Sequence, residues 1–187
     1  MKRILSILFL LTLLIACDNE PEIQQGITYI DLQDVTAGHN KSFSLDIDQD
    51  GDTEYVFTTT LAADAAGDQL QFMIYPSRNN QVFEIAGRVG VLSEDQEIAP
   101  GNPFDKNVQP MVIKTITDSG VNWSGDWKEA NNQFVGIRFY LRDKGYHYGW
   151  IRVSFDQTNG QFIIHDYAFM TTLNMKIVAG QDALQPL

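Results

Sequence analysis

Between residues 134 and 142 side chains alternate: Val135, Ile137, Phe139 and Leu141 fall on one side, Arg138, Tyr140 and Arg142 on the other. A period of two suits a pleated strand with one face in a core and one toward water, and no helix can accommodate it. Lys144-Gly145 is expected to turn the chain back. Residues 148–156 then repeat the pattern with Ile151, Val153 and Phe155 on the core face, and Thr158-Asn159-Gly160 makes the next turn before a strand at 162–169. A short strand is expected at 175–178. Adjacent strands joined by tight turns are antiparallel, which commits this third of the chain to an antiparallel sheet.

The rest of the chain gives weaker signals of the same kind. Strands are expected at residues 27–32, 41–47, 54–61, 70–74, 83–85 and 111–116, where Thr, Val, Ile and aromatic residues concentrate. Pro76-Ser77-Arg78-Asn79-Asn80 reads as a turn. Ala62-Ala63-Asp64-Ala65-Ala66-Gly67-Asp68 is helix-prone in composition but too short to stand alone, and is expected to form a loop or a single turn. From 92 to 110 the pattern fails, and Pro100-Gly101-Asn102-Pro103 breaks any ladder, so this stretch is expected to be a surface connection. About ten short strands without a long helix, in residues 27–187, indicate an all-β fold: one antiparallel β-sandwich, jelly-roll-like in connectivity.

Tyr148-Gly149-Trp150-Ile151-Arg152-Val153, followed by Asp166-Tyr167-Ala168-Phe169 and Ala179-Gly180, resembles the closing strands of secreted or surface-anchored bacterial β domains of unknown function. The resemblance spans about a quarter of the chain and implies the same fold class. It implies no catalytic residue.

Asp46, Asp48, Asp50, Asp52 and Glu54 place five carboxylates within nine residues, between two strand-like runs. Calcium takes six to eight oxygen ligands, so a calcium site needs several carboxylates converging from a sharply turned backbone. The alternation of Asp46, Asp48 and Asp50 supplies that convergence, Gly51 permits the turn, and Glu54 has the reach to close the cage. A helical EF-hand is a poor match, because its twelfth position should be Glu and here is Phe57. The stretch resembles the D-x-D-x-D-G-x-x-D loops of FG-GAP and VCBS-type β repeats, with Glu54 where Asp is usual. That resemblance implies a calcium ion held between two strands; a single copy of the loop does not imply a propeller. The competing reading is an acidic hairpin with no ion, since Asp-Gly is itself a strong turn signal.

At the N-terminus, Lys2-Arg3, an apolar run from residue 4 to 15 and then Leu14-Ile15-Ala16-Cys17 have the layout of an export signal at residues 1–16. The run is shorter than the ~20 residues a membrane-spanning helix needs. Leu14 to Cys17 also resembles a bacterial lipobox, which implies a lipid-bearing Cys17 at the mature N-terminus, anchored in the membrane through its acyl chains (palmitate among them). Cys17 is the single cysteine, so no intrachain disulfide is possible. Residues 17–26 read as an acidic tether. Removing Lys2 and Arg3 with the signal takes the formal charge of −11 to −13, which argues against nucleic-acid partners and against electrostatic docking on anionic lipid. The acidic run after the cysteine resembles surface-export signals of some Gram-negative lipoproteins, whereas in other bacteria Asp beside the cysteine marks inner-membrane retention. The expected location is the cell envelope, with the outer membrane or cell surface ahead of the inner membrane.

Trp123, Asp126 and Trp127 group two indoles and a carboxylate in an expected loop, where aromatic faces could stack on a sugar; burial of the indoles in the core is the alternative use. His39, His147 and His165 lack zinc-site spacing, although His147 and His165 could meet across neighbouring strands. No G-x-S-x-G elbow is present. The expected function is therefore a non-enzymatic, lipid-anchored envelope protein with one structural calcium ion and a binding or structural role, with a glycan or a protein as the candidate ligand. The alternative is a glycan-binding or glycan-cleaving module.

Overall fold

The computed structural model describes residues 26–65, 67–141 and 145–183. The export signal, Cys17 and the tether up to residue 25 lie outside them, as do Arg142 and Lys144. Fourteen strands run in chain order: β1 (Ile27–Gly38), β2 (Phe43–Leu45), β3 (Tyr55–Asp64), β4 (Gly67–Pro76), β5 (Gln81–Ile85), β6 (Arg88–Val89), β7 (Glu97–Ile98), β8 (Phe104–Asp105), β9 (Val112–Thr117), β10 (Gly120–Ser124), β11 (Gln133–Tyr140), β12 (Tyr146–Asp156), β13 (Gln161–Met170) and β14 (Ile177–Val178). No helix occurs among the described residues. Among the described residues, none forms a helix long and apolar enough to cross a membrane.

A seven-stranded sheet, ordered β1-β13-β12-β11-β5-β6 with β8 also on β5, packs against a five-stranded sheet ordered β10-β9-β4-β3-β2. The chain is an antiparallel β-sandwich. Its core is filled from both inner faces: Val135, Ile137, Phe139, Ile151, Val153 and Phe162 from the larger sheet meet Phe57, Phe72, Ile74 and Val112 from the smaller. The alternation at 134–141 thus points where the sequence indicates, with Tyr140 exposed. Arg138 lies between the rings of Phe104 and Tyr146, 4.9 and 4.7 Å from their centroids.

Three local expectations need correction. Residues 62–64 and 67–68 are strand and not loop: β3 and β4 stay paired to Asp64↔Gly67. The 92–110 connection carries β7 and β8, and β7 pairs with β14. Trp123 belongs to strand β10, paired with Lys114 of β9. The second correction matters most, because the segments around β7 and β14 lie over the outer face of the large sheet. There Ile98, Ile177, Leu92 and Ala179 bury Tyr148, Trp150, Ala168 and Met170 in a second apolar cluster. Strand β12 is consequently buried on both faces.

Two bulges interrupt the β1–β13–β12 part of that sheet. The β1–β13 register shifts between Asp31 and Val35, and the β12–β13 register shifts between Arg152 and Val153, leaving His165 without a strand partner. Gln33 and Asp34 take positive φ of 56° and 59°, a conformation uncommon outside glycine.

Candidate functional site

The acidic loop connects β2 to β3, and the Leu45↔Tyr55 pair closes its base. Ile47 anchors it from below: its side chain is buried, its carbonyl accepts the Tyr167 hydroxyl at 3.1 Å, and its N–H donates to Glu54 Oε2 at 2.9 Å. With Ile47 pointing in, its neighbours point out. Asp46, Asp48 and Asp50 each offer an oxygen, and these lie within 4.8 Å of one another. Calcium–oxygen distances of about 2.3–2.6 Å allow two oxygens on one ion to be about 5 Å apart at most, so the three fit around a single cation.

Main-chain donors hold the trio in place. Asp46 Oδ1 and Oδ2 accept the N–H groups of Asp50 (3.1 Å) and Gly51 (2.8 Å), and Asp50 Oδ1 accepts that of Asp52 (2.8 Å). Gln49 and Gly51, with φ of 59° and 93°, provide the left-handed turns this requires. Asp48 Oδ1 is buried without a hydrogen-bond partner. A buried carboxylate oxygen with no donor is costly in an apolar setting, and a cation satisfies it. Burial first, and then the charge of Asp50, raise the Asp48 carboxyl above its ordinary value.

The other two expected ligands are placed differently. Asp52 turns to Arg78, 2.7 Å away, in an exposed ion pair. Glu54 is only 6% exposed and lies beneath the loop with its Oε2 on the Ile47 N–H. Burial, reinforced by Asp48, Asp46 and Asp50, pushes its carboxyl up to about 7 against the opposing pull of the Ile47 N–H. A cavity of about 180 Å³ beside the loop is lined by Asp48, Asp50 and Glu54 together with Arg78, Asn80 and Tyr140.

The indole pair is not a platform. Trp127 is 1% exposed and donates Nε1–H to the Val89 carbonyl at 3.0 Å, so neither face of its ring is open to a sugar. Trp123 is half-buried against Phe72 and Phe155, with Lys114 Nζ 5.2 Å from its ring centre, and Asp126 pairs with Arg88 at 3.3 Å.

A second polar cluster sits where the two bulges adjoin. The β13 bulge turns two consecutive polar residues toward partners on β12: Asp166 takes Arg152, and His165 takes Ser154. Buried Asp166 accepts Arg152 Nε at 2.9 Å, Arg152 Nη2 and the Tyr29 hydroxyl at 2.9 Å. His165 Nε2 lies 2.8 Å from Ser154 Oγ, and its Nδ1 lies 2.5 Å from Asp34 Oδ1. Ser154 Oγ also accepts the Asn132 N–H at 2.8 Å. His147 does not meet His165; it is buried with Nδ1 2.8 Å from the Met170 carbonyl.

The sequence does contain a signal for this cluster. Core residues run Phe162, Ile164, then Tyr167, Phe169 on β13, and Ile30, Leu32, then Val35, Ala37 on β1. In both strands the period of two slips by one residue, the mark of a bulge.

No family model matches this chain, and no curated protein or solved structure does.

Proposed function

We propose that this chain is an extracytoplasmic β-sandwich, lipid-anchored through Cys17 in the cell envelope, whose β2–β3 loop takes one calcium ion as a structural fastener and which serves a binding or structural role. The observation that carries the metal reading is the convergence of Asp46, Asp48 and Asp50 within 4.8 Å around an unpartnered Asp48 Oδ1. These three residues would hold the ion; Asp52 is committed to Arg78, and Glu54 would support the trio from below. The ion supplies positive charge where adjacent carboxylates repel, and thereby stiffens a loop that already has its turns set by Gln49 and Gly51.

The test is calorimetric titration with calcium, paired with thermal melts in calcium and in chelator. A ligand bound at 100 times its Kd stabilises the folded state by about 2.7 kcal/mol, and Asp48→Asn should remove most of that gain while changing little in chelator. Absence of both heat and a melting shift at millimolar calcium would reduce the loop to a hairpin. Anchoring is tested separately, by fatty-acid labelling of wild type and Cys17→Ala. The alternative glycan reading loses its Trp127 support, since that ring is enclosed.

A further inference from the structure

The geometry points to a second site, independent of the acidic loop: Ser154, His165 and Asp34 as nucleophile, general base and orienting carboxylate for acyl transfer from a carboxylic ester of a neutral, hydroxyl-rich alcohol. The proton positions follow from the donor inventory. Ionised Asp34 only accepts, so His165 Nδ1 carries the proton in their 2.5 Å contact. In the neutral ring Nε2 is then an acceptor, and the Ser154 hydroxyl donates to it across 2.8 Å. One Oγ lone pair receives the Asn132 N–H, and the other is left for an acyl carbon. A nucleophile in contact with a base that a third group orients is the arrangement that activates serine.

This arrangement is assembled by local irregularity in three strands. Ser154 stands on β12, His165 in the β13 bulge, and Asp34 in the β1 bulge with positive φ. Two successive non-glycine residues in that conformation cost energy, and bulges that re-aim side chains are frequent beside active sites. Ser154 is 8% exposed, while the His165 side chain is 15% exposed and faces a hollow of about 460 Å³. A neighbouring hollow of about 320 Å³ shares Tyr29, Arg152 and Asp166 with it. Both volumes lie in the ~300–1,000 Å³ range of small-molecule sites. Their walls set the substrate class: Glu94, Asp31, Asp34 and Asp182 outnumber Arg152, whose charge Asp166 already neutralises, so an anionic substrate is repelled. Carboxylates and the amides of Asn132 and Gln133 match the hydroxyls of a neutral polyol, and the exposed Tyr29 ring offers an apolar face.

In the reaction Ser154 Oγ bonds to the ester carbonyl carbon as its proton passes to His165 Nε2. The carbon–oxygen bond to the alcohol then breaks, and the alcohol departs with that proton. Water, deprotonated by the same nitrogen, releases the carboxylic acid and restores Oγ–H. The Asn132 N–H, 2.8 Å from Oγ, holds the nucleophile in position.

The full chain would be incubated with a fluorophosphonate probe and analysed by intact mass and peptide mapping. One adduct on Ser154 is expected, absent from Ser154→Ala and formed about a hundredfold or more slowly in His165→Gln. Asp34→Asn, at an exposed position, should keep the melting temperature and lower kcat for p-nitrophenyl acetate about tenfold or more with KM unchanged. No adduct on folded wild type, or an unchanged adduct in Ser154→Ala, overturns the proposal. Acetate release from p-nitrophenyl acetate without any from a monosaccharide carrying one acetyl ester and otherwise free hydroxyls overturns the assigned substrate class.

Discussion

Glu54→Gln should make the calcium-free protein more stable at pH 8, although it removes a native side chain from beneath a loop. An ordinary glutamate loses its proton near 4.5, whereas Glu54 in the folded protein keeps it to about 7. Between those values the folded state holds more protons than the unfolded one. Stability is therefore full below about pH 4.5, falls as pH rises through the window, and levels off above 7. At about 1.4 kcal/mol for each tenfold change in proton affinity, the gap amounts to roughly 3 kcal/mol. Gln keeps a carbonyl for the Ile47 N–H but cannot ionise beside Asp48 and Asp46. Urea unfolding in chelator across pH 4.5–8.5 should show the variant level with wild type at the acid end and ahead of it at pH 8. In a domain of this size that corresponds to roughly 6–12 °C in Tm. Parallel pH profiles for the two proteins would refute the argument that burial, reinforced by the aspartates, holds the proton on Glu54.

Tyr167→Phe removes the hydroxyl that holds the Ile47 carbonyl, and denaturant titration should show a loss of about 1–2 kcal/mol. At Gly149 a Cβ would stand 2.5 Å from the Ala168 carbonyl oxygen in the middle of a paired strand, so Gly149→Ala should cost about 1–3 kcal/mol by the same measurement. Asp126→Asn breaks only the exposed pair with Arg88 and should shift stability by less than about 1 kcal/mol.

The fold was readable where one face of a strand meets the core and the other meets water. The C-terminal half of β11 is such a place, with Phe139 buried between half-buried Arg138 and exposed Tyr140, whereas Phe134 and Gly136 nearer its start are covered as well as Val135 and Ile137. It was less readable where tertiary burial overrides alternation. Tyr148 and Trp150 lie on what should be the solvent face of β12 and are buried there, because residues around Ile98 and Ile177 cover it from distant parts of the chain. The acidic loop was legible through local spacing, since Asp46, Asp48 and Asp50 are ordered by their own turns. The destination of Asp52 was not, because Arg78 reaches it from 26 residues away. The Ser154, His165 and Asp34 cluster spans three strands and two bulges. Only the slipped alternation at 32–35 and 164–167 hinted at it, and a slip reveals a bulge without revealing what gathers around it.

The layer formed around β7 and β14 holds itself together through the Ile98↔Ile177 pair and is stitched to the sandwich chiefly by the main-chain bonds of Leu92 with Phe134 and by Trp150 Nε1 to the Gln181 carbonyl. Its cohesion comes from a small set of apolar side chains, so it can detach while the two sheets remain closed. Deuterium uptake under native conditions should then divide into two populations. Amides of residues 92–98 and 177–181 would exchange through a shallow opening, and those of the central ladder only when the whole molecule comes apart.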